Sequence, residues 1–195
     1  MQVLAAKALI DVPWKNGGGI TRNIAKGLLG TQAVWTVSRA DVAQNGPFSD
    51  FAGMRRILTV VSGGGMKLTG PNLSLDASLW RPVIFDGGIA IESHLTAGPL
   101  TDLNLMFDPT LCEGVVTVHK EASQHAIQTP EHGIVILHGL AGAPKIDGTA
   151  LGVSDTAFVT ATNAVVDLAR GDALFEICLS YMDQSAAIKL AIADR

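Results

Sequence analysis

The hydrophobic pattern along the chain is that of short strands. Val34-Trp35-Thr36-Val37-Ser38-Arg39-Ala40 alternates between apolar and polar positions and is rich in β-formers. Period-2 alternation puts Trp35, Val37 and Arg39 on one face of a strand and Thr36 and Ser38 on the other. Asp102-Leu103-Asn104-Leu105-Met106-Phe107 repeats the pattern, with Leu103, Leu105 and Phe107 opposite Asp102, Asn104 and Met106. Further strands are predicted at 3–10, from Ile20 through Ile24, and at 56–62, 66–69, 83–85, 89–95, 114–119, 133–139, 145–148, 158–161, 165–168 and 173–179. Residues 44–53 are dense in turn formers and read as a loop pinned by Phe48 and Phe51. Ser185 to Ala193 alone reads as helical, an alanine-rich tail.

Strands spaced by roughly 8–12 residues and broken by Gly and Pro predict an all-β sandwich or barrel. Helical crossovers of 10–15 residues are absent, which argues against a parallel α/β sheet. A weak internal repeat is also visible. Thr59-Val60-Val61-Ser62-Gly63 aligns with Val135-Ile136-Leu137-His138-Gly139, and Phe85–Ile91 aligns with Ala169–Phe175. Two copies of a small antiparallel barrel would produce it, although glycine-ended strands recur in any β protein.

Composition narrows the classes. The chain has 195 residues, 48% of them apolar and 16% charged. It is long enough to bury a core without metals or disulfides. The mean hydropathy of +0.33 is high, and it leans toward a buried subunit interface, a homodimer. A formal charge of -4 offers no basic footprint for nucleic acid or an anionic membrane. No apolar run approaches the roughly 18 residues of a membrane span. No signal-peptide pattern is visible, so a cytoplasmic protein is expected. Cys112 and Cys178 are isolated and read as small buried hydrophobes.

The densest polar stretch is Trp14-Lys15-Asn16-Gly17-Gly18-Gly19-Ile20-Thr21-Arg22. Three glycines place a bend or a close backbone approach between groups able to hold charge. Neither this run nor Gly63–Gly65 fits GxxxxGK[ST] or opens a helix, so a nucleotide loop is unsupported; the second run reads as a hairpin turn. The five histidines form neither HxH nor HExxH, and no metal site is expected. No G-x-S-x-G context supports a hydrolase. Three polar sets remain: Lys15, Asn16, Thr21 and Arg22; Arg55 and Arg56 at a strand mouth; and Asp102 with Asn104 on one strand face. For each, plain solvation is the ordinary alternative.

Together these stretches resemble the HutD/Ves family. The likeness rests on Trp14–Arg22, Trp35–Ala40, Gly46-Pro47-Phe48-Ser49-Asp50-Phe51, Arg56–Val60, Phe85-Asp86-Gly87-Gly88 and Gly98–Met106, over roughly residues 10–107. The resemblance implies a cupin (RmlC-like) jelly roll, with two halves, 1–110 and 111–195, forming a bicupin. It implies no metal and no cofactor. It also implies a non-enzymatic protein that binds a small carboxylate, such as formylglutamate, in the control of histidine utilisation. Expected ligand-binding residues are Lys15, Asn16, Thr21, Arg22, Arg56, Asp102 and Asn104. Arg22 and Arg56 would pair with carboxylate oxygens, and Asp102 would hold a cation in place. No catalytic residue is assigned. A metal-free isomerase or lyase, drawing on Asp102, Lys15 or a histidine, is the alternative. The sequence departs from the family pattern after Met106, where Phe107-Asp108-Pro109-Thr110 replaces a segment bearing two cations, and at Gly88, where an aspartate is common.

Overall fold

A computed structural model describes residues 1–160, 163–182 and 187–193. In chain order its strands are β1 (Gln2–Leu4), β2 (Val12–Pro13), β3 (Gly19–Leu29), β4 (Gln32–Val42), β5 (Gly46–Pro47), β6 (Arg55–Ser62), β7 (Met66–Gly70), β8 (Leu73–Ala77), β9 (Val83–Asp86) and β10 (Glu92–Leu95). They continue with β11 (Leu100–Phe107), β12 (Cys112–His119), β13 (Ser123–Ile127), β14 (Gly133–Ala141), β15 (Lys145–Ile146), β16 (Thr149–Ala150), β17 (Thr156–Val159), β18 (Ala164–Leu168), β19 (Ala173–Tyr181) and β20 (Lys189–Ile192). Among the described residues the only helix is one 3-10 turn, Ala6–Ala8, and no helix is long and apolar enough to cross a membrane. The fold is all-β, as the alternation predicts.

Two compact units divide the chain: Ile10–Leu111 with Ala187–Arg195, and Met1–Leu9 with Cys112–Ala186. Their ends differ from the halves 1–110 and 111–195. Strand β20 pairs with β3, and β1 pairs with β17, so each unit takes a terminal strand from the far end of the chain. Each unit is a pair of antiparallel sheets. In the first, the order β2-β3-β4-β11-β6-β9, with β20 on β3, faces β5-β10-β7-β8. In the second, β1-β17-β14-β19-β12 faces β13-β18-β15-β16. The run β4-β11-β6-β9 has the same connectivity as β12-β19-β14-β17, which makes β6 and β14 equivalent. The alignment of Thr59–Gly63 with Val135–Gly139 therefore joins corresponding strands. That of Phe85–Ile91 with Ala169–Phe175 does not, since the first spans β9 to β10 and the second β18 to β19.

Alternation explains the cores. In the first unit Leu58, Val60, Met66, Leu68, Phe85 and Leu100 form one buried cluster, flanked by Trp14 and Phe48. In the second, Val135, Leu137, Ile146, Val159, Val166 and Leu174 form another. Each such side chain contributes on the order of 1.5–3 kcal/mol by leaving water.

Three local expectations are corrected. Lys189–Ile192 is a strand, not a helix, because β3 offers it an open edge; residues 185 and 186 lie outside the described residues. Gly63–Gly65 is not a hairpin turn, since β7 pairs with β8 and β10 rather than with β6. The run carries the chain from one sheet to the other, with Gly63 and Gly65 at φ of 91° and 96°. Finally, Gly46–Pro47 within the loop 44–53 pairs with β10.

Candidate functional site

The site is built on the inner face of the larger sheet of the first unit. Register fixes its floor as three rows. Arg56 lies opposite Met106, Met106 opposite Thr36, and Thr36 opposite Lys26. The next row is Leu58, Asn104, Ser38 and Asn23, and the third is Val60, Asp102, Ala40 and Thr21. Directly opposed residues present their side chains on one face. Over this floor lies a cavity of about 750 Å³ lined by Pro13, Trp14, Lys15, Asn16, Thr21, Asn23, Thr36, Ser38, Ala40, Pro47, Phe48, Ser49, Phe51, Arg56, Asp102, Asn104 and Met106.

The glycine run forms the rim. It is the hairpin between β2 and β3, closed by Trp14 N–H donating to the Gly19 carbonyl (2.9 Å) and Gly17 N–H to the Trp14 carbonyl (3.0 Å). Gly17 has φ 70°, a conformation that favours glycine. A Cβ on Gly19 would lie 2.4 Å from the Asp41 carbonyl oxygen, so the close approach excludes any larger residue. Asn16 Oδ1 accepts the Gly18 N–H (2.9 Å), and Trp14 Nε1 donates to Thr21 Oγ1 (2.7 Å). The indole is thereby fixed over the cavity edge.

At the base, Arg56, Asn104 and Asp102 are 8%, 3% and 1% exposed. Arg56 Nε donates to Asn104 Oδ1 (2.8 Å), and Asn104 Nδ2 donates to Asp102 Oδ1 (2.5 Å). The amide is thus a relay that orients both charged groups. The Arg56 guanidinium also lies 4.3 Å from the Phe48 ring centroid and 5.5 Å from that of Phe85, a cation–π setting that tolerates the buried charge. Its two terminal nitrogens find no hydrogen-bond acceptor among the described residues and open on the cavity. Burial pushes the Asp102 carboxyl up to about 7, against the pull of Arg56 and the Asn104 hydrogen bond. Burial lowers Arg56 to about 10, with Asp102 opposing. Near neutral pH the arginine is a cation and Asp102 divides between its two forms.

Six of the seven expected residues meet here: Lys15, Asn16, Thr21, Arg56, Asp102 and Asn104. Arg22 does not. Thr21 and Asn23 face inward, so strand alternation turns Arg22 to the other face. There its Nε and Nη1 bind Asp11 and Asp41, each at 2.6 Å, and Thr101 Oγ1 also donates to Asp41 (2.8 Å). Sequence reading did not assign Trp14, Asn23, Thr36, Ser38, Phe48, Phe51 or Met106 to the site. The alternation of 34–40 already separates Thr36 and Ser38 from the apolar face, and that signal would have found them. Asp108, in the segment that lacks the family cations, accepts the Thr110 N–H and hydroxyl (2.8 and 2.6 Å). It forms a turn and does not line the cavity. No group of three or more His, Cys, Asp or Glu among the described residues is placed to hold a metal.

Paired antiparallel sheets with a polar cavity on the inner face define the cupin architecture. A bacterial pirin from Escherichia coli shares it, with a TM-score of 0.68 over 90% of this chain and 97% of that one, at 9% identity. Residues 6–175 match the HutD family, and the chain belongs to that family. It is similar to HutD from Pseudomonas fluorescens SBW25, solved in a formate condition, with 28% identity and a TM-score of 0.81 over 93% of this chain and 99% of that one. It is also 38% identical, over 119 residues, to an uncharacterised 21.2 kDa protein of the hutC 3' region of Pseudomonas putida, 56% of this chain and 59% of that protein. The chain thus spans about three-fifths of the length of that relative.

Proposed function

We propose that the cavity binds a small carboxylate, and that the protein is a non-enzymatic regulator or buffer of a histidine-utilisation-type intermediate such as formylglutamate. The observation that carries this reading is the Arg56 guanidinium. It is buried and oriented through Nε, and its remaining donors face an open cavity. A planar fork of N–H groups matches a carboxylate bidentately. Lys15 at the rim adds charge, and Thr36 and Ser38 add hydroxyls. Membership of the HutD family supports the pathway assignment.

Calorimetric titration with formate, urocanate and formylglutamate tests it. Saturable binding of at least one is expected, with a matching rise in melting temperature. Arg56→Met removes two charge-assisted hydrogen bonds and is expected to weaken binding on the order of 100-fold. No binding by any of the three acids, or equal binding by the variant, refutes the reading.

Asp102 favours a second reading, an isomerase or lyase acting on a small acid. A carboxyl held near neutrality at the floor of a cavity suits general acid–base work. Proton NMR of each bound acid in deuterated buffer separates the two. Exchange of a carbon-bound hydrogen or a new product, lost in Asp102→Asn, would establish the enzyme; unchanged spectra leave a binding protein.

A further inference from the structure

The cavity floor carries two open polar groups besides the Arg56 fork. Asp102 is 1% exposed and lines the cavity. Its Oδ1 accepts from Asn104, while its Oδ2 accepts no hydrogen bond among the described residues. Ser38 is 6% exposed and lines the same floor. Its hydroxyl has no hydrogen-bond partner among the described residues either. Register sets Ser38 directly opposite Asn104, the amide that stands between Arg56 and Asp102. Three side chains, each more than nine-tenths buried, therefore converge around one amide. A buried polar group needs a partner, and here the partner has to come from the cavity. The three groups differ in what they ask for. Arg56 offers only donors, an ionised Asp102 offers only acceptors, and Ser38 can do either. A simple carboxylate satisfies Arg56 but sets its charge beside Asp102, a like-charge contact. A molecule with an anion and a cation a few bonds apart satisfies all three.

We propose that the cavity recognises an amino acid, with its carboxylate on the Arg56 fork and its ammonium on Asp102 Oδ2 and Ser38 Oγ. This rests on the carboxylate reading of Arg56 and adds an opposite charge to the ligand. The chain between the two ends lies over Asn104. The zwitterion brings no net charge to the floor, and each buried protein charge meets its opposite. The ammonium also draws Asp102 into its ionised form. The other charged groups that line the cavity with Asp102 are Arg56 and Lys15, and Asp41 on the neighbouring strand β4 acts on it as a like charge.

The test is calorimetric titration of the full chain, pairing each amino acid with the acid that lacks its amine: glycine with acetate, β-alanine with propionate, γ-aminobutyrate with butyrate. At pH 8 at least one amino acid is expected to bind about tenfold tighter than its matched acid, the worth of one charge-assisted hydrogen bond. Asp102→Asn should abolish that preference. The acids should bind this variant at least as tightly as the parent, which also shows that it is folded. Ser38→Ala should lower the preference about threefold; an undiminished preference removes Ser38 from the contact. A further readout needs no variant. Titrations at pH 7 in buffers of different ionisation enthalpy report the protons exchanged, with uptake expected for the simple acids and release for the amino acid. No preference at pH 8, a preference that survives Asp102→Asn, or proton uptake with both classes overturns the proposal, and binding of the acids then leaves the Arg56 site standing. Failure of both classes to bind overturns both readings.

Discussion

Asp102 makes the stability of this protein depend on pH in a direction opposite to that of a salt-bridged carboxylate. Burial raises its folded pKa from 3.8 to about 7. Between those values the native state keeps a proton that the unfolded chain has released. The unfolded state binds fewer protons, so stability falls as pH rises from about 4 to about 7 and is level beyond. A rise of that size corresponds to about 4 kcal/mol. Asp102 is almost wholly buried, so solvent screening does not reduce the figure. Asp102→Asn removes the titration and keeps a carbonyl to accept from Asn104. Urea denaturation of both proteins at intervals from pH 4 to 8.5 measures it. The stability difference between variant and parent should move by about 3–4 kcal/mol in favour of the variant across that range, with most of the change between pH 5 and 7. Parallel curves, agreeing within about 1 kcal/mol at all pH values, would refute the reasoning.

Other outcomes follow from the same geometry. Carboxylate affinity in the parent should weaken as pH rises through about 7, because ionised Asp102 repels the ligand, and the dependence should vanish in Asp102→Asn; titrations at pH 6 and 8 decide it. Arg22→Ala should leave carboxylate affinity within about twofold of the parent while costing up to about 1 kcal/mol of stability, the value of a partly exposed ion pair. Gly27→Ala would bring a Cβ within 2.0 Å of the buried Trp35 Nε1, and overpacking of that kind is expected to cost about 1–3 kcal/mol in a denaturant titration.

Much of the site was legible in the sequence because the inner face of a sheet writes itself as every second residue. Asp102 and Asn104 share a face for that reason, and so do Thr36 and Ser38. The same rule excludes Arg22, since Thr21 and Arg22 are adjacent on one strand and cannot both point inward. Choosing residues by chemistry rather than by alternation placed both in the site. The position of Lys26 opposite Thr36 was beyond reach for another reason. A bulge reverses the alternation after Asn23, and no local residue type announces it. The strand Lys189–Ile192 was missed because its lysine, leucine and alanine have helical propensity; its β conformation comes from the edge of β3, a tertiary effect that overrides local preference. The two-sheet repeat was visible at β6 and β14, where long apolar strands end on glycine. It was misaligned at Phe85, where glycine-flanked turns look alike.

The pairing of β20 with β3 has a consequence for biosynthesis. Lys189 to Ile192 meet partners among Ala25 to Leu28, across more than 150 residues of chain. The sheet that carries the cavity therefore cannot be completed until Lys189–Ile192 has left the ribosome. Until then the edge of β3 from Ala25 to Leu28 is unpaired, a surface open to misassociation. Contacts of such long sequence separation also slow the last stage of folding.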